Sequence, residues 1–458
     1  TVQFDTPSTV NVASGVVSVV LGASFNSFGA TSIGAAMTVA ASSTFLVGAN
    51  TATLSGVTSL TSSTISIGAG TLSLSGSSAK LIATSNAVIS ASQTLGGLVV
   101  SAGSTMQLTG SKLLMSAGTV AVAGTVSASA STVQLSSPIV SGSGVVSLSG
   151  SSLSGPGNWA FYGSSAVTLT QTSSFSLPNN ALTLGNSSSL VLSGGSSLTL
   201  GGTLLTINDQ AKLTLSGASS AAITVQTAQV ALSAQLSITG ASTMQLNAVS
   251  TAVAGVVSIA NSVVTINTGT VVFSGSANLQ MSNSTLNVCG GVVQFLDTSF
   301  MALSSTSAIR LCGGIILYQS TRNFTVSPDS LLTVVNGTSQ WVQGSLVLGA
   351  LANLTLPGGT VLVRDGSVLY AHSNSYLIVQ SGSTVEVTST GSVVIDPAAG
   401  VSTAGQLTID SGSRMSVGPT GTWITTGGTT TFQQAATLNF QPTASVQITG
   451  GTEVERRR

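Results

Sequence analysis

The sequence predicts an all-β protein, a parallel β-helix (β-solenoid) with coils of about 21–24 residues. Three features carry that expectation: short apolar/hydroxyl alternations closed by glycine, a ladder of glycines at a near-constant interval, and a scarcity of charge along the 458 residues.

The alternation defines the strands. "TLSLSG" (Thr71–Gly76), "LVLSGG" (Leu190–Gly195), "KLTLSG" (Lys212–Gly217) and "QLSITG" (Gln235–Gly240) share one plan. Period-two alternation is the signature of a half-buried strand, and the closing glycine lets the backbone turn. Val, Ile and Thr suit strands, and no long window shows a helical period. The glycines set the repeat. Gly194, Gly217 and Gly240 are spaced by 23. After a longer step come Gly269, Gly290, Gly313, Gly337, Gly358 and Gly382, at intervals of 21, 23, 24, 21 and 24. Such a period, holding two or three short strands, is one coil of a solenoid whose coils stack at the strand spacing of ~4.8 Å. A single elongated solenoid is expected over 1–458, least regular in 1–190, where the glycine ladder blurs. A string of β-sandwiches would need linkers rich in proline or charge. Only nine prolines occur, and no linker stands out.

Composition narrows the function. Charged residues make up 4% of the chain and Ser plus Thr roughly a third, against about 25% charged residues in ordinary domains. Ten basic residues balance ten acidic ones, so nothing favours nucleic acid as a partner. Residues 1–296 hold only Asp5, Lys80, Lys112, Asp209 and Lys212; the other fifteen charges lie beyond. No apolar run approaches the ~20 residues of a spanning helix, and the sparse aromatics do not form the girdles of an outer-membrane barrel. The chain is expected not to span a membrane.

With its Ser/Thr/Gly-rich coils, the sequence resembles the parallel β-helices of secreted adhesins and autotransporter passengers, and more distantly the pectin-lyase-like superfamily. The resemblance covers most of the chain as pattern and composition, and implies an extracellular fibrous role. Pectin-lyase-like hydrolases use clustered aspartates, often with Gly-His-Gly, and the lyases use calcium-binding acids with a basic residue. Here the single histidine, His372 in "LYAHSNSY", has no glycine neighbour and no acidic partner nearby in sequence. It reads as a surface or corner residue. The acids Asp297, Asp329, Asp365, Glu386, Asp396 and Asp410 are widely spaced. Asp365 and Glu386, 21 apart, are the pair that coil stacking would best bring together, with Arg364 beside them. A glycosidase needs two carboxylates facing one cleft. The expectation is no enzyme, no cofactor and no metal. The calcium-binding Gly-Gly-x-Gly-x-Asp motif does not occur, no glycine-rich loop leads into a helix to cradle phosphate, and Thr-x-Thr spacing is too irregular for an ice-binding ladder, "TWITTGGTTTF" (Thr422–Phe432) standing alone.

Five N-glycosylation sequons occur, at Asn186, Asn283, Asn323, Asn336 and Asn353. With twenty asparagines in so hydroxyl-rich a chain, about six would arise by chance, so the count alone carries no weight. Thr1 follows no initiator methionine or hydrophobic leader, which reads as a mature secreted product. Arg456, Arg457 and Arg458 read equally as the remnant of processing at a basic site or as an ordinary basic tail. Neither end shows a helical cap. The leading expectation is therefore a structural subunit of an extracellular filament or cell-surface appendage, a homopolymer assembling end to end through uncapped solenoid ends. The alternative is a monomeric adhesin rod that binds a host surface or a glycan.

The only two cysteines, Cys289 and Cys312, are 23 apart, an interval of the glycine ladder. That spacing places them at one corner of adjacent coils, with Cα atoms about 5 Å apart, within the range of a disulfide. Val288 and Leu311 before them take inward positions. A two-cysteine metal site would lack further ligands, with His372 some three coils away; a disulfide closing this loop would contribute roughly 3 kcal/mol in an oxidising compartment. Two free thiols are the other reading.

Overall fold

The structure, a computed structural model, describes residues 2–4, 9–91, 97–342, 345–348, 351–433, 436–448 and 455–456. Among these residues there are 62 strands and no helix. The strands rotate through three parallel sheets, so that within each unit a strand pairs with the third strand before or after it. The expected β-solenoid is thus the fold, with about 20 coils. Contacts divide the chain into two compact units, Thr1–Gln226 and Thr227–Arg458.

One coil of the N-terminal unit runs through Ser174–Leu177 in the first sheet, Leu182–Leu184 in the second and Ser189–Leu192 in the third. One coil of the C-terminal unit runs likewise through Thr285–Val288, Val292–Asp297 and Phe300–Ser304. Coil length varies. In the N-terminal unit, Thr64 pairs with Thr44 at an offset of 20, while Thr71 pairs with Gly97 at an offset of 26. In the C-terminal unit the offset runs from 20 (Thr243 with Val263) to 24 (Tyr376 with Gly400). Turns absorb the difference and the strands keep register. Because side chains alternate in and out, a one-residue slip would expose the whole apolar set of a strand.

The register also explains the long step in the glycine ladder. Gly194, Gly217 and Gly240 follow strands of the third sheet, at the turn into the first. Gly269, Gly290, Gly313, Gly337, Gly358 and Gly382 precede strands of the second sheet, at a different corner. The ladder changes corner between Gly240 and Gly269.

At the corner where Gly194 lies, the residue just before most first-sheet strands is small and buried. In the N-terminal unit it is Ser43, Ser63, Ser111, Ser131, Ser151, Ser173, Ser196 or Ser219 in successive coils, with Ala87 in one. These serines link coils: the Ser111 N–H donates to Ser131 Oγ (3.1 Å), Ser131 N–H to Ser151 Oγ (3.1 Å) and Ser151 N–H to Ser173 Oγ (3.2 Å). The Ser131, Ser151 and Ser173 hydroxyls each donate in turn to a nearby carbonyl, as Ser131 Oγ does to Ser129 O at 2.7 Å. In the C-terminal unit Ser242, Ser262, Ser284, Ser307 and Ser330 hold the same place, and Ser262 N–H donates to Ser284 Oγ at 3.2 Å. A buried corner N–H left unpaired would cost about 1–3 kcal/mol, so the serine column satisfies groups that a purely apolar corner would strand.

The core is aliphatic, with aromatic clusters in both units. In the N-terminal unit Trp159 meets Phe161 and Phe175 at ring-centre distances of 6.3 and 4.9 Å. In the C-terminal unit the register places Phe273, Phe295, Tyr318 and Trp341 one above another on the second sheet. Successive ring centres lie 4.7, 5.4 and 6.3 Å apart, and Phe324 packs on the last two. Tyr318 is fully buried and its hydroxyl has no hydrogen bond of ordinary geometry among the described residues. Burial pushes its phenol up to about 12, against the smaller opposing pulls of Ser320 and Arg322. The folded state therefore holds the proton more tightly than the unfolded chain, where tyrosine titrates near 10. The stability this contributes is complete below pH about 10 and is lost as pH rises through about 12. Tyr318→Phe should leave stability at pH 7 unchanged or raise it by up to about 1 kcal/mol, since it removes an unpaired hydroxyl. Denaturant titrations should also show a shallower loss between pH 10 and 12. A variant as alkali-sensitive as the parent would show that another group titrates there.

Candidate functional site

The third sheet of the C-terminal unit carries a cluster that builds a side-chain constellation out of one coil step. Val368–Ala371 pairs with Ser392–Ile395, Leu369 facing Val393 and Tyr370 facing Val394. In this strand Leu369 and Ala371 point inward and are buried, which turns Tyr370 outward and puts His372 at the turn that follows. One coil on, Asp396 directly follows the next strand at the same corner, at a sequence separation of 24 from His372. Tyr370 Oη–H donates to Asp396 Oδ1 at 2.6 Å, and His372 Nδ1–H donates to Asp396 Oδ2 at 3.0 Å. The two rings lie 4.6 Å apart at 58°. The His372 and Asp396 side chains are 46% and 25% exposed, so the pair is solvated and its Coulomb energy is modest. The hydrogen bond to Asp396, then partial burial, then the carboxylate's charge raise the Tyr370 phenol above its ordinary value. The carboxylate thus braces two rings at the end of a cavity of about 380 Å³ on the sheet's outer face. Its floor is formed by the preceding two coils, with Thr325 facing Val347 and Val347 facing Tyr370 in register.

The other residues singled out from the sequence fall elsewhere. Glu386 pairs with Leu362, and Asp365 lies beyond the strand end, where the register puts it beside Ser389. Asp365 and Glu386 are thus three positions out of step and do not stack, because Thr360 faces Thr384 here, an offset of 24 and not 21. Several dispersed acids do a structural job at turns. Asp209 (φ 53°) and Asp297 (φ 56°) both adopt the left-handed conformation. Asp209 Oδ2 accepts from the Asn186 N–H at 3.0 Å and Asp297 Oδ2 from the Gly275 N–H at 2.9 Å, each one coil away. Asp and Asn tolerate this conformation better than other non-glycine residues. Among the described residues, no three of His, Cys, Asp and Glu gather as a metal site. No helix among them is long and apolar enough to cross a membrane.

Cys289 and Cys312 are half-buried at the corner between the first and second sheets, and the structure joins them, with Cα atoms 4.4 Å apart. Val288 and Leu311 face each other in register and are fully buried. Of the sequons, Asn186, Asn283, Asn323 and Asn336 are exposed at turns. Asn283 Nδ2 donates to Asn261 Oδ1 at 2.7 Å, and Asn283 Oδ1 accepts from Thr306 Oγ1. Asn353 is half-buried on a first-sheet strand, its Oδ1 enclosed. Glu455 and Arg456 form a short strand against Thr431 and Phe432; Arg457 and Arg458 lie outside the described residues.

Sequence reading missed the Tyr370–His372–Asp396 cluster because it searched for an acid near His372 along the chain. The available signal was the coil step, which carries His372 to Asp396 at a separation of 24. Compared with known proteins, the chain matches no family model and none of the curated proteins.

Proposed function

We propose that the chain is a structural subunit of an extracellular filament or cell-surface appendage, in which copies stack coil upon coil. The observation that supports this reading most is the solenoid itself: within each unit the same parallel pairing joins every coil to the next, and the ladder that joins coils within one chain is a geometry that could equally join coils of two copies. A surface of hydroxyls and amides adds little charge repulsion between copies. The Cys289–Cys312 bond suits an oxidising compartment. Sedimentation velocity tests the proposal: the intact protein should grow in size with concentration. A parent protein that stays a single chain at its highest soluble concentration would overturn the reading.

A second reading, a monomeric surface-binding adhesin, is favoured by the cavity beside Tyr370 and His372.

A further inference from the structure

We infer that the cavity on the third sheet of the C-terminal unit binds one uncharged sugar residue of a glycan, with the Tyr370 ring as its platform. The inference rests on the surface-binding reading and assigns it a place. At about 380 Å³ the cavity lies in the range of small-molecule sites, near its lower bound. Val347 and Val368 supply apolar floor, and Asn323, Thr325 and Ser345 supply amide and hydroxyl groups. Sugars present the same mixture, with C–H faces that pack on aromatic rings and hydroxyls that both donate and accept.

Two features make the site rigid and discriminating. Asp396 holds Tyr370 through its hydroxyl and His372 through Nδ1, so the ring is fixed before any ligand arrives. Among the described residues, no Asp, Glu, Lys or Arg lines the cavity. Arg322, next to Asn323 in the chain, has its guanidinium laid over the Phe300 ring at 4.9 Å. The lining therefore offers no fixed charge to attract a uronate, sulfate or amine, and the ligand chemistry it fits is a neutral polyol.

The test uses the intact protein and the methyl glycosides of glucose, galactose, mannose, N-acetylglucosamine and glucuronic acid, followed by saturation-transfer NMR and titration. At least one neutral glycoside should bind saturably. Tyr370→Ala should weaken it by at least about tenfold, and Tyr370→Phe, which keeps the ring, by less than about threefold. Thr325→Trp, an outward-facing change that fills the floor, should abolish binding with the fold intact. Tyr376→Ala removes an exposed ring on another sheet and should have no effect. Binding that survives Tyr370→Ala and Thr325→Trp would overturn this site while leaving the surface-binding reading in place. Preference for the glucuronide would overturn the neutral-ligand assignment. No binding by any glycoside would overturn the sugar site and leave the surface-binding reading to ligands other than sugars.

Discussion

Trp341→Ala should destabilise the C-terminal unit by about 3–5 kcal/mol, the largest effect expected of any single core truncation here. Trp341 is fully buried, stacked on Phe324 at 6.3 Å and 15° and on Tyr318 at 6.3 Å and 28°. Truncation would remove both contacts and leave a cavity that the flanking strands, held by ladder hydrogen bonds, can close only in part. The indole Nε1 has no hydrogen-bond partner among the described residues, so its loss carries no polar penalty, and Trp341→Phe should cost under about 1.5 kcal/mol. Coils of a solenoid contact only their neighbours, which confines the damage. Hydrogen exchange should accelerate in Ile315–Ser320, Thr338–Trp341 and Thr360–Val363, and stay unchanged in the N-terminal unit. A uniform acceleration across both units would show that they unfold as one.

Gly269→Ala should cost about 2–4 kcal/mol, from two causes acting together. Gly269 sits at φ +79°, and a Cβ there would lie 1.7 Å from Ala248 O and 2.8 Å from Val249 O. The preceding coil's backbone fills that space and cannot swing aside as a flexible side chain would. Gly275 separates the causes: its φ is +60°, but nothing lies within 4 Å of an added Cβ. Gly275→Ala should therefore cost only the conformational part, about 1–2 kcal/mol. Equal losses in urea titrations of the two variants would show that the close approach at Gly269 relaxes freely.

The contrast between those two glycines bears on what the sequence makes legible. Fold class follows from local patterns that every coil repeats: strand alternation, a turn residue and a roughly constant step. The cysteines are readable because their separation of 23 equals the step of their own coil, with Val288 facing Leu311 just before them. Other partners one coil apart are harder, because coil length changes from step to step. The difference between a step of 21 and a step of 24 moved Asp365 from Glu386 to Ser389, and the longer step also brought His372 to Asp396. The blurred glycine ladder between Thr1 and Leu190 has a related cause. There the corners are turned by residues such as Ser42, Ser62, Asn86 and Ala130 in the left-handed conformation. The buried serine before most first-sheet strands would have marked the same register.

Electron micrographs of the purified intact protein, from dilute to concentrated, test the filament proposal most directly. Stacked coils predict unbranched fibres of uniform width whose computed diffraction shows a layer line near ~4.8 Å along the fibre. Dispersed single particles at every concentration would contradict it.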